Sequence, residues 1–89
     1  MNSVTTERFR RALDALPIDV QRRARRAYAA FRQDPEHPSL RFKPVRTMPP
    51  IYSARVGLGY RALAVSDGGT WIWFWIGNHA DYDRLLRNL

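Results

Sequence analysis

Cysteine is absent from the 89 residues. Its absence excludes a disulfide framework, a thiolate metal site and a thiol nucleophile. Long apolar runs are missing too: the longest, Trp71 to Ile76, holds six residues, against the ~20 that a membrane helix needs. The first eleven residues contain no apolar stretch of the kind a secretory signal carries, so a cytoplasmic protein without a membrane span is expected. With two histidines and no cysteine, neither a transition-metal site nor another cofactor is expected. Acidic residues are scarce: eight, against fifteen basic ones, give a net charge of +7. That sign favours a polyanionic partner such as nucleic acid, a ribosome or an acidic protein. Lysine is nearly absent as well, with Lys43 alone beside 14 arginines. Arginine grips phosphate with a planar fork where lysine is a point charge; a GC-rich genome would produce the same ratio.

What is present describes one small globular domain spanning residues 1–89. Hydrophobic residues make up 45%, charged residues 26% and aromatics 12%, a composition that excludes disorder. At this length a core is small, and a second chain covering apolar surface would help it. The charge is uneven. Residues 1–47 carry eleven basic and five acidic side chains, and residues 48–89 carry four and three.

The first half reads as helix. Thr5 or Thr6 can cap a helix with Glu7 in its first turn, and Phe9, Ala12, Leu13 and Leu16 follow at helical spacing. Pro17 closes that segment and suits the start of the next. From Asp19, the residues Val20, Ala24, Ala27, Tyr28 and Phe31 form one apolar stripe, with Arg22, Arg23, Arg25, Arg26 and Arg32 mainly off it. Asp34-Pro35 ends this helix. The two helices form a hairpin.

Five of the six prolines fall between residues 35 and 50, which predicts looped or extended chain with a short strand at Leu40 to Lys43. From Ile51 the period becomes two. Tyr52, Ala54 and Val56 face one way; Ile51, Ser53 and Arg55 face the other. Gly57-Leu58-Gly59 is a turn, and Tyr60 to Ser66 a second strand with Arg61, Leu63 and Val65 on one face. Asp67-Gly68-Gly69 signals a hairpin. Thr70 to Ile76, apolar on both sides, is expected to be a covered inner strand, with Trp71, Trp73 and Trp75 along one face. Gly77-Asn78 is expected to break it, and His79 to Leu89 to form a final helix through Tyr82, Leu85 and Leu86. A further strand at Asn2 to Thr5 can precede the rest. The fold class is α+β: a helical hairpin on one face of a small antiparallel sheet, the other face partly open, and a short C-terminal helix.

Three segments carry a family resemblance: Asp34-Pro35-Glu36-His37-Pro38-Ser39-Leu40, then Tyr52-Ser-Ala-Arg-Val-Gly-Leu-Gly-Tyr-Arg61-Ala-Leu, then Trp73-Phe-Trp-Ile-Gly-Asn-His79-Ala-Asp-Tyr82. Together they resemble the RelE/ParE superfamily, the toxins of bacterial type II toxin–antitoxin modules. The resemblance implies a cognate antitoxin as partner. It also implies one of two activities: cleavage of mRNA in the ribosomal A site, or poisoning of DNA gyrase.

Fold membership does not choose between these; the site must. Metal-free RNA cleavage needs a base for the ribose 2′-hydroxyl, cations for the phosphorane charge and an acid for the leaving 5′ oxygen. By resemblance, Arg61 matches the strand arginine that contacts the scissile phosphate in RNA-cleaving relatives, and Arg55 a second basic position of that site. His79 stands where those relatives place an acid–base histidine or an arginine, and an imidazole titrating near pH ~6.5 suits either proton role. Tyr82, one helical turn on, can orient that histidine, share protons or stack on a base; packing of the last helix on the sheet is its ordinary alternative. Lys43 and Arg46, before the strands, and Arg22 and Arg26, on the second helix, are candidates for RNA or ribosome contact, against solvated surface charge. His37 is expected to fix the loop after the hairpin. The tryptophans suit a core better than a base-stacking platform. Ser53 occupies a position where RNA-cleaving relatives often have lysine. Three functions follow as expectations: a ribosome-dependent mRNA endoribonuclease, a gyrase poison without chemistry of its own, or a non-toxic antitoxin-binding module.

Overall fold

A computed structural model describes residues 2–88. The order is β1 (Asn2–Thr5), α1 (Glu7–Asp14), α2 (Ile18–Gln33), a 3-10 turn (Pro38–Leu40), β2 (Lys43–Thr47), β3 (Pro50–Gly57), β4 (Tyr60–Asp67), β5 (Thr70–Asn78) and α3 (His79–Arg87). Thr6 is the cap of α1: its Oγ1 accepts from the Phe9 amide at 3.1 Å, satisfying one of the free donors of the first turn. Gln21, buried in α2, donates from Nε2 to the carbonyls of Asp14 and Leu16 at 3.2 and 2.9 Å. Those two bonds fix the turn between the helices. Asp34 ends α2, and His37 holds the next turn by accepting from the Ser39 amide at 3.2 Å.

The five strands form one sheet in the order β1-β5-β4-β3-β2. All neighbours are antiparallel except β1 and β5, which are parallel. The cap of α1 explains that pair. Both the amide and the hydroxyl of Thr6 donate to the Trp73 carbonyl, at 3.1 and 3.0 Å. The chain must therefore run along β5 in the direction that delivers α1 to this point. The inner position of β5 agrees with its apolar sequence.

On one face, α1 lies over β5 and α2 over β3. Phe31 is the centre of this layer at 1% exposure, edge-on to Phe42 and Trp73 with centroids 5.0 and 5.1 Å away. Ala54, Ala62 and Ala64 on the sheet beneath leave room for these rings. The other face carries a second core, in which Ile51, Leu63 and Tyr82 are buried together with half-buried Val45, Leu85 and Leu86. Here α3 closes much of a surface that the sequence left open, because its apolar stripe matches the odd-numbered residues of β3 and β4.

Three local expectations change. The strand expected at Leu40 to Lys43 begins at Lys43, since Pro38–Leu40 makes a helical turn and Arg41 adopts left-handed angles with φ 45°. Gly77 and Asn78 do not break β5; they pair with Arg61 and Tyr60, and Asn78 caps α3 directly. The three tryptophans do not share a face. Register slips between Leu63 opposite Trp75 and Ala64 opposite Trp73. This bulge at Phe74 sends Trp71 and Trp73 to the first core and Trp75 to the second.

Phe31→Ala is expected to lower unfolding free energy by about 3–5 kcal/mol, and Thr6→Ala by about 1 kcal/mol. Urea denaturation measures both; similar small losses would contradict the central position of Phe31.

Candidate functional site

Two glycines with positive φ, Gly57 at 131° and Gly59 at 79°, close the β3–β4 hairpin. Such angles strain any residue with a Cβ. Immediately before and after this turn, Arg55 and Arg61 stand opposite one another in register. The start of α3 is tied to the same turn: the His79 amide donates to the Gly59 carbonyl at 2.8 Å, and the Asn78 side chain caps the helix by accepting from the Asp81 amide at 2.8 Å. A hairpin and a helix start thus bring Arg55, Arg61 and His79 to the walls of one open cleft of about 240 Å³. Arg41 lines it from the loop before β2.

Arg61 is the unusual member. It is only 8% exposed. Its Nε donates to Ser53 Oγ at 3.0 Å, and its guanidinium carbon lies 5.4 Å from the centre of the Tyr82 ring. One terminal nitrogen, Nη2, is buried without a hydrogen-bond partner. A cation withdrawn from water is costly unless compensated. A hydroxyl and a ring face compensate only in part. The same Tyr82 ring stacks on His79, with centroids 5.4 Å apart and planes 17° off parallel. Tyr82 itself is buried at 5% exposure, and its ring lies tilted against that of Trp75 with centroids 6.4 Å apart. It therefore supports the imidazole and the guanidinium from below, while His79 stays exposed with Asp83 at 3.9 Å.

The other expected binding residues divide. Lys43 is exposed at the start of β2, opposite Ser53 in register and so on the same side of the sheet as Arg61. Arg46 points to α3 and donates to the Leu86 carbonyl, and to its neighbour Val45 at 3.0 Å; it clamps the last helix onto β2. Arg22 and Arg26 are exposed on α2, and Arg26 lines a second cleft that meets the first at Arg55 and Gly57. Arg41 was not singled out from sequence. Its place depends on the left-handed turn after Leu40, for which no glycine or asparagine gives a signal. Ser53 is not a gap in the cleft but a fully buried acceptor under α3.

A family model described as the ParE-like toxin domain matches residues 19–84. The chain belongs to this family. The matched span runs from α2 into α3 and includes every residue of the cleft. Among solved structures, the toxin domain is similar in fold to a chain of the RelB-RelE antitoxin–toxin complex of Methanococcus jannaschii, at 19% identity and TM-score 0.72 over 91% of this chain and 96% of that one. It is similar to a chain of the RelBE2 toxin–antitoxin complex of Mycobacterium tuberculosis, at 24% identity and TM-score 0.65 over 88% and 96%. It is also similar to a copper-bound mutant toxin of Helicobacter pylori, at 10% identity and TM-score 0.61 over 91% and 97%. No curated protein matches the sequence. The two N-terminal helices, the five-stranded sheet and the C-terminal helix form the fold shared with these solved toxin chains. Among the described residues, no helix is long and apolar enough to cross a membrane.

Ser53→Ala removes the acceptor of a buried charged donor. It is expected to cost about 1–3 kcal/mol, measured by urea denaturation. An unchanged midpoint would show that Ser53 does not hold Arg61.

Proposed function

We propose that this toxin domain is a ribosome-dependent mRNA endoribonuclease that cleaves without a metal or other cofactor, and that a short acidic antitoxin neutralises it. The observation that carries this reading is the convergence of Arg41, Arg55, Arg61 and His79 on one cleft. In the reaction, the ribose 2′-oxygen attacks phosphorus, the bond to the 5′ oxygen breaks, and the products are a 2′,3′-cyclic phosphate and a 5′-hydroxyl. The phosphorane gains negative charge on its non-bridging oxygens, and guanidinium groups fixed beforehand stabilise it. Arg61, held by Ser53 and Tyr82, is the fixed one; Arg55 and Arg41 are the accessible ones. His79 exchanges the proton with the 2′-hydroxyl or the leaving 5′ oxygen, and its stacking on Tyr82 holds the plane of the ring. Tyr82 acts here as a positioning residue. Lys43, Arg22 and Arg26 remain exposed for backbone contacts with mRNA or ribosomal RNA.

A second reading, docking on DNA gyrase without chemistry, draws support from the ParE-like family match and from Ser53 standing where RNA-cleaving relatives often have lysine. The two readings differ in what induction does to a cell. Cleavage predicts new mRNA ends and arrested translation. Gyrase poisoning predicts DNA breaks with translation at first intact. A non-toxic antitoxin-binding module predicts normal growth.

His79→Ala and Arg55→Ala change accessible side chains and are expected to leave stability nearly unchanged. Each is expected to reduce cleavage about 10²–10⁴-fold, read by mapping mRNA 5′ ends after induction. Full toxicity of both variants would refute the nuclease assignment.

A further inference from the structure

The cleft that holds Arg61 and His79 does not end at the hairpin. It meets a second one, of about 380 Å³, on the α2 side of the sheet, and Arg55 and Gly57 line both. The second cleft is bounded by Arg23, Arg26 and Ser39. Among the described residues no carboxylate lines either cleft. Nor do Arg23, Arg26, Arg41 or Arg55 form an ion pair there; the ion pairs among the described residues involve Arg11, His79 and Arg84. Five guanidinium groups thus line two adjoining clefts that share Gly57, and among the described residues no carboxylate lines them. Such an array repels itself and raises the free energy of the folded chain until a polyanion fills it.

Gly57 is what joins the two clefts. A Cβ built on it would come within 2.9 Å of Arg23 Cδ. The aliphatic stem of Arg23 therefore lies against the Gly57 backbone, and Arg23 and Arg55 line the same cleft. A substituted residue here would clash with that stem and would also have to adopt φ of 131°.

We propose that the Arg23–Arg26–Arg55 cleft is a second phosphate subsite, so that the site takes a single-stranded polynucleotide across the hairpin with consecutive phosphates in the two clefts. Arg55 is shared between them, and Arg23 is the residue that makes the second subsite. The partner class follows from the lining. Beside the arginines, the second cleft offers only small side chains, Ala27, Ala30, Ser39 and Val56. That suits a phosphodiester backbone and gives an acidic peptide no deep apolar socket. The proposal rests on the RNA reading of the first cleft and adds a length requirement to it: a strand with one phosphate fills half the site.

Binding of non-cleavable 2′-O-methyl oligonucleotides to the isolated protein tests this, by fluorescence anisotropy over a range of salt. The probes are a dinucleotide with a single phosphodiester and a hexanucleotide. The variants are Arg23→Met and, as a charge-matched control on the same helix, Arg25→Met. The wild type is expected to bind the hexanucleotide more tightly than the dinucleotide. Arg23→Met is expected to weaken hexanucleotide binding roughly tenfold and to reduce the salt slope by about 0.7. It should leave dinucleotide binding almost unchanged, and Arg25→Met should do little to either. Equal losses for the two variants, or equal losses on both probes, would overturn the second subsite while leaving the first cleft intact. A polyglutamate that binds as tightly and depends equally on Arg23 would overturn the polynucleotide class. Failure of the wild type to bind the hexanucleotide would overturn this inference, while the ribosome-dependent reading of the first cleft stands or falls separately on the mRNA ends mapped after induction.

Discussion

A guanidinium buried between a hydroxyl and a tyrosine ring organises the functional end of this toxin domain. Arg61 sits on an inner strand, under a helix that follows two elements later, with one nitrogen left unpartnered. Such a group is stable only if its surroundings are fixed first. Ser53 supplies one hydrogen bond from β3, and Tyr82 supplies a ring face from α3. Both depend on α3 closing the second face of the sheet. The second core of Ile51, Leu63 and Tyr82 is therefore not only a source of stability. It holds the charge of the cleft in one place, which is what stabilisation of a phosphorane asks of a cation.

The same helix explains how the imidazole arrives. β5 runs without a loop into α3, because Asn78 is at once the last strand residue and the helix cap. The bond from the His79 amide to the Gly59 carbonyl then ties that junction to the β3–β4 turn. This backbone hydrogen bond extends the β4–β5 ladder, which already pairs Tyr60 with Asn78, by one step beyond the strands. No long side chain is needed to hold the junction to the turn. His79 and Arg61 meet the same Tyr82 ring, so a change at that ring would disturb both.

Much of this was legible from residue order. The stripe from Val20 to Phe31, the Asp67-Gly68-Gly69 hairpin and the alternation in β3 and β4 are local signals, and each element formed where its period placed it. The family resemblance groups Arg55, Arg61 and His79, and the fold places all three on one cleft. What escaped was tertiary. The bulge at Phe74 lies inside an unbroken aromatic run, where every register looks equally apolar, so Trp75 was given the wrong face. The start of β2 moved because Arg41 takes a left-handed conformation that its residue type does not announce. That single backbone angle also brought Arg41 to the cleft. Ser53 read as a missing lysine, although its role is set by α3, whose docking on the second face has no counterpart in the sequence of β3.

The distribution of charge turns these details into a constraint on the whole molecule. Two basic residues of the first half, Arg23 and Arg26 of α2, line one cleft together with Arg55 and Gly57 of β3. Acidic side chains are placed elsewhere. Glu7 pairs with Arg11, Asp81 with Arg84, and Asp83 lies near His79 at the outer edge of α3. If solubility were the only use of the arginines, neutralising carboxylates among them would lower the self-repulsion at no cost to the fold. Among the described residues no carboxylate lines either cleft, so the guanidinium groups there are left without compensating charge from neighbouring side chains. A polyanion bound there would stabilise the folded chain by mass action in addition to any chemistry performed on it.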